Sequence, residues 1–235
     1  MRKSSPLRPL IGRIRNKSLR RKVSEVVQNL QIQIGDAVYT GISFEDSPAG
    51  LSRHHSYPGG LVEHIAATAK IAFAFCDAVE EVYKGKVDRD LVLAGIILHD
   101  IFKPFTYEVN DGSYLTTHLG ERLDHLTLAV AELVRRDFPL DLIHIVCAHH
   151  GGQAGPIWAR TLEALICHLA DQADSQLNGQ VLRAARYLSR RVIGEEPSQF
   201  TSKEAFEVIR SKAVEGWEGA RMTLEKIRQR RLGSN

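Results

Sequence analysis

Apolar residues recur at helical spacing along most of this chain. Leu19, Val23, Val26, Val27 and Leu30 share one face of a first amphipathic segment, residues 17–30, with charges opposite. After Pro58, Gly59 and Gly60, the residues Leu61, Ile65, Ala69, Ala72, Phe73, Cys76 and Val79 predict a long helix to about Tyr83. The run Leu91 to Leu98 predicts a buried helix, capped by Asp88 or Asp90 and stopped by Pro104, which biases Lys103 away from helical geometry. Further helices are expected over about Asp124 to Arg136, from Pro139 to His149, through Leu162, Leu165, Ile166 and Leu169, and over about Val181–Val192 and Lys203–Arg231.

Between these lie less regular stretches. Residues 105–120, with Asn110, Asp111 and Gly112, read as a loop or short hairpin, and residues 153–158 as a loop. From Gly35 to Gly60 no periodicity is sustained, and connections of that length inside a domain are often functional lids. Strand signals are few and no repeat is present. The fold class is therefore all-α: a helical bundle with a long irregular loop and a C-terminal helical extension. The expected divisions are a basic arm and first helix (1–34), a central domain (35–180), and an extension (181–235) packed on the same domain.

At 235 residues the chain is long enough for one substantial core. Its apolar runs fall far short of the roughly 20 residues of a membrane span, and no signal-peptide core follows Met1, so a cytoplasmic protein without a membrane partner is expected. Cys76, Cys147 and Cys167 lie in apolar helical stretches without close pairing and read as reduced core residues. The net charge of +3 conceals an uneven distribution: all charges in residues 1–22 are basic, and the remainder is net acidic. Such an arm can touch nucleic acid, but no aromatic residue is interleaved with it, so nucleic acid is not the favoured partner. Phe206, Ile209, Val214, Trp217 and Leu224 are expected to pack on the core or on a second copy in a homo-oligomer.

The chemistry concentrates at helix ends. His99 and Asp100 close the most apolar helix, and a buried carboxylate requires a cation, a basic partner or a helix terminus. His64, His99, Asp100, His125, His149, His150 and Asp171 each fall near the end of a predicted helix. Imidazole nitrogens and carboxylates without thiolates suit Fe, Mn, Zn, Co or Ni rather than a structural zinc site. Asp174 rivals Asp171, and His168 is a candidate partner of the set. An Asp100 bridging two ions would fit two-metal hydrolysis by a metal-activated hydroxide.

This order of His64, then His99-Asp100, then Asp171 resembles the HD superfamily of metal-dependent phosphohydrolases, over roughly residues 54–174. His125 and His149, with His150 beside them, match the extra histidines of its two-metal members. The run from His54 through Tyr57 and Gly60 to His64, with His149, His150 and Gly151, resembles a branch that includes bacterial exoribonucleases and cyclic-phosphate phosphodiesterases. The resemblance implies two divalent ions, Fe(II) foremost, and a small phosphodiester substrate: the 2′,3′-cyclic phosphate of a pterin or nucleotide-like molecule. Lys103, Arg53, His54 and His55 are then expected to hold the phosphate or protonate the leaving oxygen, with Asp100 central to catalysis. Tyr57, Phe102 and Tyr107 are candidates to flank a ring by stacking, although aromatic residues beside a core are more often part of it. An exoribonuclease or nucleotide phosphohydrolase is the alternative, and a diiron oxygenase on the same fold a further one.

Overall fold

The computed structural model of the chain describes residues 5–110, 112–197 and 199–232. The N-terminal segment enters through a single turn, α1 (Arg8–Ile11), and the amphipathic helix α2 (Lys17–Gln28), whose start is capped by the Asn16 side chain. Leu7, Ile11 and Ile14 are buried in the main core. Asp90 accepts from the amides of Arg15 (2.9 Å) and Asn16 (2.7 Å). Residues 5–22 are thus anchored on the bundle, with apolar side chains inward, rather than forming a solvated arm; Arg2 and Lys3 lie outside the described residues.

A small hairpin follows, β1 (Ile32–Ile34) and β2 (Ala37–Tyr39), paired antiparallel with Ile32 opposite Tyr39. It occupies the start of the stretch expected to be irregular. Helix α3 (Gly60–Asp77) then ends in a wider turn at Ala78–Val82. Helix α4 (Arg89–Leu98) begins at the Asp88 cap and ends with His99 as its C-cap. Pro104 does not stop a helix: it lies in the first turn of the short α5 (Lys103–Thr106), where its missing amide hydrogen costs nothing and its fixed φ favours helix.

The hairpin β3 (Tyr107–Asn110) and β4 (Ser113–Thr116) leads to α6 (His125–Arg135), capped by Asp124, which accepts from the Thr127 amide (2.7 Å). Asp111 lies outside the described residues. After Pro139 come α7 (Leu140–Ala148) and the single turn α8 (Gly151–Ala154). Helix α9 (Leu162–Ile193) runs 32 residues without a break, so the two separate helices expected there are one. It also crosses the expected boundary at 180/181. Helix α10 (Ser202–Leu232) is interrupted at Gly216 (φ 71°, ψ −155°), giving two segments where one was expected.

Helices α3, α4, α7 and α9 enclose the main core. The C-terminal half of α9 and α10 close a second cluster around Leu182, Ala185, Phe200, Val208 and Leu224. Leu224 is buried there, whereas Phe206, Val214 and Trp217 are exposed. No described helix is long and apolar enough to cross a membrane. At the crossing of α4 and α7, a Cβ on Gly95 would come within 2.4 Å of Ile145 Cγ2. This close approach aligns the helix ends that carry His99 and His149. Gly95→Val is expected to overpack the crossing and lower stability by about 1–3 kcal/mol, read as an earlier urea midpoint.

Candidate metal centre

Five helices end at or pass one point. His64 projects from the second turn of α3, His99 caps α4 and Asp100 follows it, His125 opens α6, His149 caps α7, and Asp171 lies on α9. His64, His99, Asp100 and His149 are almost wholly buried. The first group forms around His64 Nε2, which lies 3.1 Å from His99 Nε2, 3.1 Å from Asp171 Oδ1 and 3.4 Å from Asp100 Oδ2. His99 Nε2 is 3.3 Å from the same Asp100 oxygen.

The second group forms on the other carboxylate oxygen. Asp100 Oδ1 lies 3.2 Å from His125 Nε2 and 3.8 Å from His149 Nε2, and His150 offers a fourth ligand atom within reach. Asp100 Oδ1, His125 Nε2 and His149 Nε2 are buried without a hydrogen-bond partner among the described residues. Three unsatisfied, converging polar atoms are costly unless something charged lies between them.

Hydrogen bonds assign the tautomers. Nδ1–H of His99 donates to Ile96 O (2.8 Å) and that of His149 to Val146 O (2.6 Å), so each Nε2 presents a bare lone pair. Nδ1–H of His64 donates to Asp174 Oδ2 (2.7 Å). That oxygen also accepts from His55 Nε2 (2.9 Å), and His55 Nδ1 then accepts from Tyr57 O–H (2.8 Å). Tyr57 O is bonded to Ser202 Oγ, which accepts from Asn178 Nδ2 (2.6 Å). In the second group the converging lone pairs repel, and a divalent cation would relieve that repulsion; in the first, a cation would take the place of a proton between His64 Nε2 and its neighbours. The donor set therefore fits divalent metal, with Asp100 facing both groups.

This chain of bonds separates residues that look equivalent in sequence. Asp171 Oδ1 faces the first group, while Asp174 stands behind His64 and orients it. His55, in left-handed backbone (φ 43°), is buried and its amide donates to Asn178 Oδ1 (2.7 Å). Tyr57 is only 2% exposed and belongs to the α9–α10 cluster. His55 and Tyr57 thus do not face a substrate, contrary to expectation, because their polar atoms are already satisfied inside the protein. Phe102 is likewise buried, beside Phe105. His168 Nδ1–H donates to His149 O (2.6 Å) and fixes the turn that carries His149. Asp174→Asn is expected to weaken metal affinity about 10–100-fold, measured by competition with a chelating dye.

Charge reinforces the arrangement. Burial opposes the charged form of His64, yet Asp100, Asp171 and Asp174 hold its imidazole well above the ordinary value. Burial also opposes ionisation of Asp100, but Lys103 and His99 keep it well below the ordinary carboxylate range. His149 is pushed down by burial and by His99, leaving it neutral. A proton held on His64 must leave before a cation enters. Metal affinity should therefore rise with pH, by about tenfold per unit for one displaced proton, until pH exceeds the raised His64 value; calorimetry in buffers of different ionisation enthalpy would count the proton.

Residues 61–227 match the family model described as HD domain. The chain belongs to the HD domain family. Over 207 residues it is 40% identical to the dihydroneopterin 2′,3′-cyclic phosphate phosphodiesterase of Methanocaldococcus jannaschii, covering 88% of this chain and 83% of that protein. It is 31% identical over 150 residues to the 3′-5′ exoribonuclease YhaM of Bacillus pumilus, covering 59% of this chain and 45% of that protein. The corresponding enzyme of Listeria welshimeri is 31% identical over 175 residues, 67% of this chain and 53% of its own length. The chain thus spans about half the length of these exoribonucleases. No solved structure matches it.

In this HD domain the centre opens into a cavity of about 840 Å³, into which Asp100, His149, His150 and Asp171 face. Lys103 Nζ lies 2.5 Å from Asp100 Oδ2, and Lys103, Arg53 and His54 line the wall. Burial and the nearby Lys103 lower the His54 pKa to about 3, so His54 is neutral. Tyr107 does not line the cavity. The far wall is α9, through Gln172, Gln176, Gln180, Arg183 and Arg186. Sequence reasoning missed these, although Gln172, Gln176, Gln180 and Arg183 recur at helical spacing on one face that starts beside Asp171. Nothing in the sequence marked Asn178 or Ser202.

Proposed function

We propose that this chain is a metal-dependent phosphodiesterase that opens a 2′,3′-cyclic phosphate, of a dihydroneopterin-type or nucleotide-like molecule, to a phosphomonoester. The observation that carries the reading is Asp100, whose two oxygens face separate groups of imidazole nitrogens at the floor of a cation-rimmed cavity. His64, His99, Asp100 and Asp171 would hold one divalent ion, and Asp100, His125, His149 and His150 a second. Fe(II) is the proposed ion, with Mn, Zn, Co and Ni also suited to these donors. Such ions supply a water that is nucleophilic at neutral pH and charge for the phosphoryl oxygens.

The chain's own residues do the rest. Lys103 is a point charge at the cavity floor, close enough to Asp100 to bind a non-bridging phosphoryl oxygen beside it. Arg53 has no ion-pair partner among the described residues and supplies a second cation at the rim. Neutral His54 offers the leaving oxygen a hydrogen bond rather than a positive charge. His55 acts through Asp174 on His64 and is a positioning residue.

The 31% identity to exoribonucleases favours RNA cleavage as a second reading. Against it, no residue of the basic N-terminal segment lines the cavity. Anaerobically purified protein loaded with Fe(II) or Mn(II) is expected to open dihydroneopterin 2′,3′-cyclic phosphate, followed by ³¹P NMR. Release of nucleotides from single-stranded RNA, with no ring opening under any metal, would replace this reading by the second.

A further inference from the structure

Helix α9 carries three primary amides, Gln172, Gln176 and Gln180, four residues apart and therefore on one face, all lining the cavity. None has a hydrogen-bond partner among the described residues. From Asp171 the helix rises about 7.5 Å to Gln176 and about 13.5 Å to Gln180. The amides therefore lead away from the proposed phosphate site along the cavity wall. All three are exposed, and the face is uncharged from Gln172 to Gln180.

The opposite wall is held close. At Gly179 a Cβ would come within 3.3 Å of Arg53 O, so the glycine lets the backbone of Arg53 and His54 come down on α9. Arg186 fastens the same loop, donating to Ser52 O (2.9 Å) and Ser56 Oγ (3.1 Å). The result is a cleft with metal-site ligands at one end and paired donor and acceptor groups along one side. An amide offers two donors and a carbonyl acceptor together. That pattern complements the edge of a pyrimidinone ring bearing an amino group, in which carbonyl, ring N–H and amine follow one another.

We infer that Gln176 and Gln180 read the amino-pyrimidinone edge of the substrate's heterocycle and set its specificity. This rests on the cyclic-phosphate reading for its link to catalysis, but ring recognition can be measured alone. The test compares wild type with Gln176→Ala, Gln180→Ala and the double variant, on dihydroneopterin cyclic phosphate and on bis(4-nitrophenyl) phosphate, which lacks the edge. The double variant is expected to lose about 10–100-fold in kcat/KM on the pterin substrate, chiefly through KM, for two lost hydrogen bonds. That loss should exceed the loss on bis(4-nitrophenyl) phosphate by about tenfold or more. Fluorescence titration with dihydroneopterin should show binding weakened by a similar factor.

Equal losses on both substrates, or no loss on either, would overturn the inference. If wild type binds dihydroneopterin through these amides but opens no cyclic phosphate, the reaction fails and the recognition stands.

Discussion

Asp100→Asn is expected to abolish ring opening, lowering kcat/KM by more than about 10³-fold, the scale of several kcal/mol of lost charge stabilisation. The carboxylate faces both groups, with Oδ2 near His64 and His99 and Oδ1 near His125 and His149. An amide keeps the shape but supplies no negative charge, and its nitrogen turns a donor toward one group. Metal content, measured by elemental analysis, should fall along with activity. The substitution also leaves Lys103 buried without its counter-ion, a change that costs about 3–5 kcal/mol when a buried pair is broken. Asp100→Asn with Lys103→Met removes that penalty. The double variant should regain the thermal midpoint but not the metal or the activity, separating loss of fold from loss of the centre.

Removing metal with a chelator is the second large effect. Activity is expected to disappear and to return with Fe(II) or Mn(II), but not with Mg(II) or Ca(II), because imidazole nitrogen is a poor donor for those ions. Stability should fall as well. His125 Nε2, His149 Nε2 and Asp100 Oδ1 have no other partner among the described residues, so the empty second group leaves three buried polar atoms unsatisfied. At 100 times the dissociation constant, bound metal contributes about 2.7 kcal/mol per site. For a chain of this size that corresponds to a fall of about 5–10 °C in Tm for each ion that chelation removes. A chelated protein with unchanged Tm would show that the groups are satisfied without a cation.

Much of the helical order was legible because the apolar spacing is strong and the caps are ordinary. Asp88, Asp124 and Pro139 start helices as their residue types require. Pro104 was misread because a proline one residue into a helix and one beyond its end look alike when only the preceding apolar run is considered. Helix α9 was divided because residues 175–180 carry no apolar stripe. In the structure that stretch faces the cavity through its glutamines, so its polarity reflects the cleft rather than a loop.

The site shows the same limits. The ordered His and Asp residues were visible because polar groups at the ends of apolar helices need an explanation. Asp171 and Asp174 could not be ranked from spacing, since both fall within a turn, and the rotation of α9 decides which faces His64 Nε2. His54 and His55 are adjacent and chemically identical. A left-handed backbone at His55 turns one inward and leaves the other at the cavity, and no residue pattern announces that φ.

The bonded series from His64 through Asp174, His55 and Tyr57 ends at Ser202, the first residue of α10. Every proposed ligand has been synthesised by residue 171, about thirty positions before that hydroxyl. A nascent chain therefore holds all its donors before α10 supplies the hydroxyl at the end of their brace.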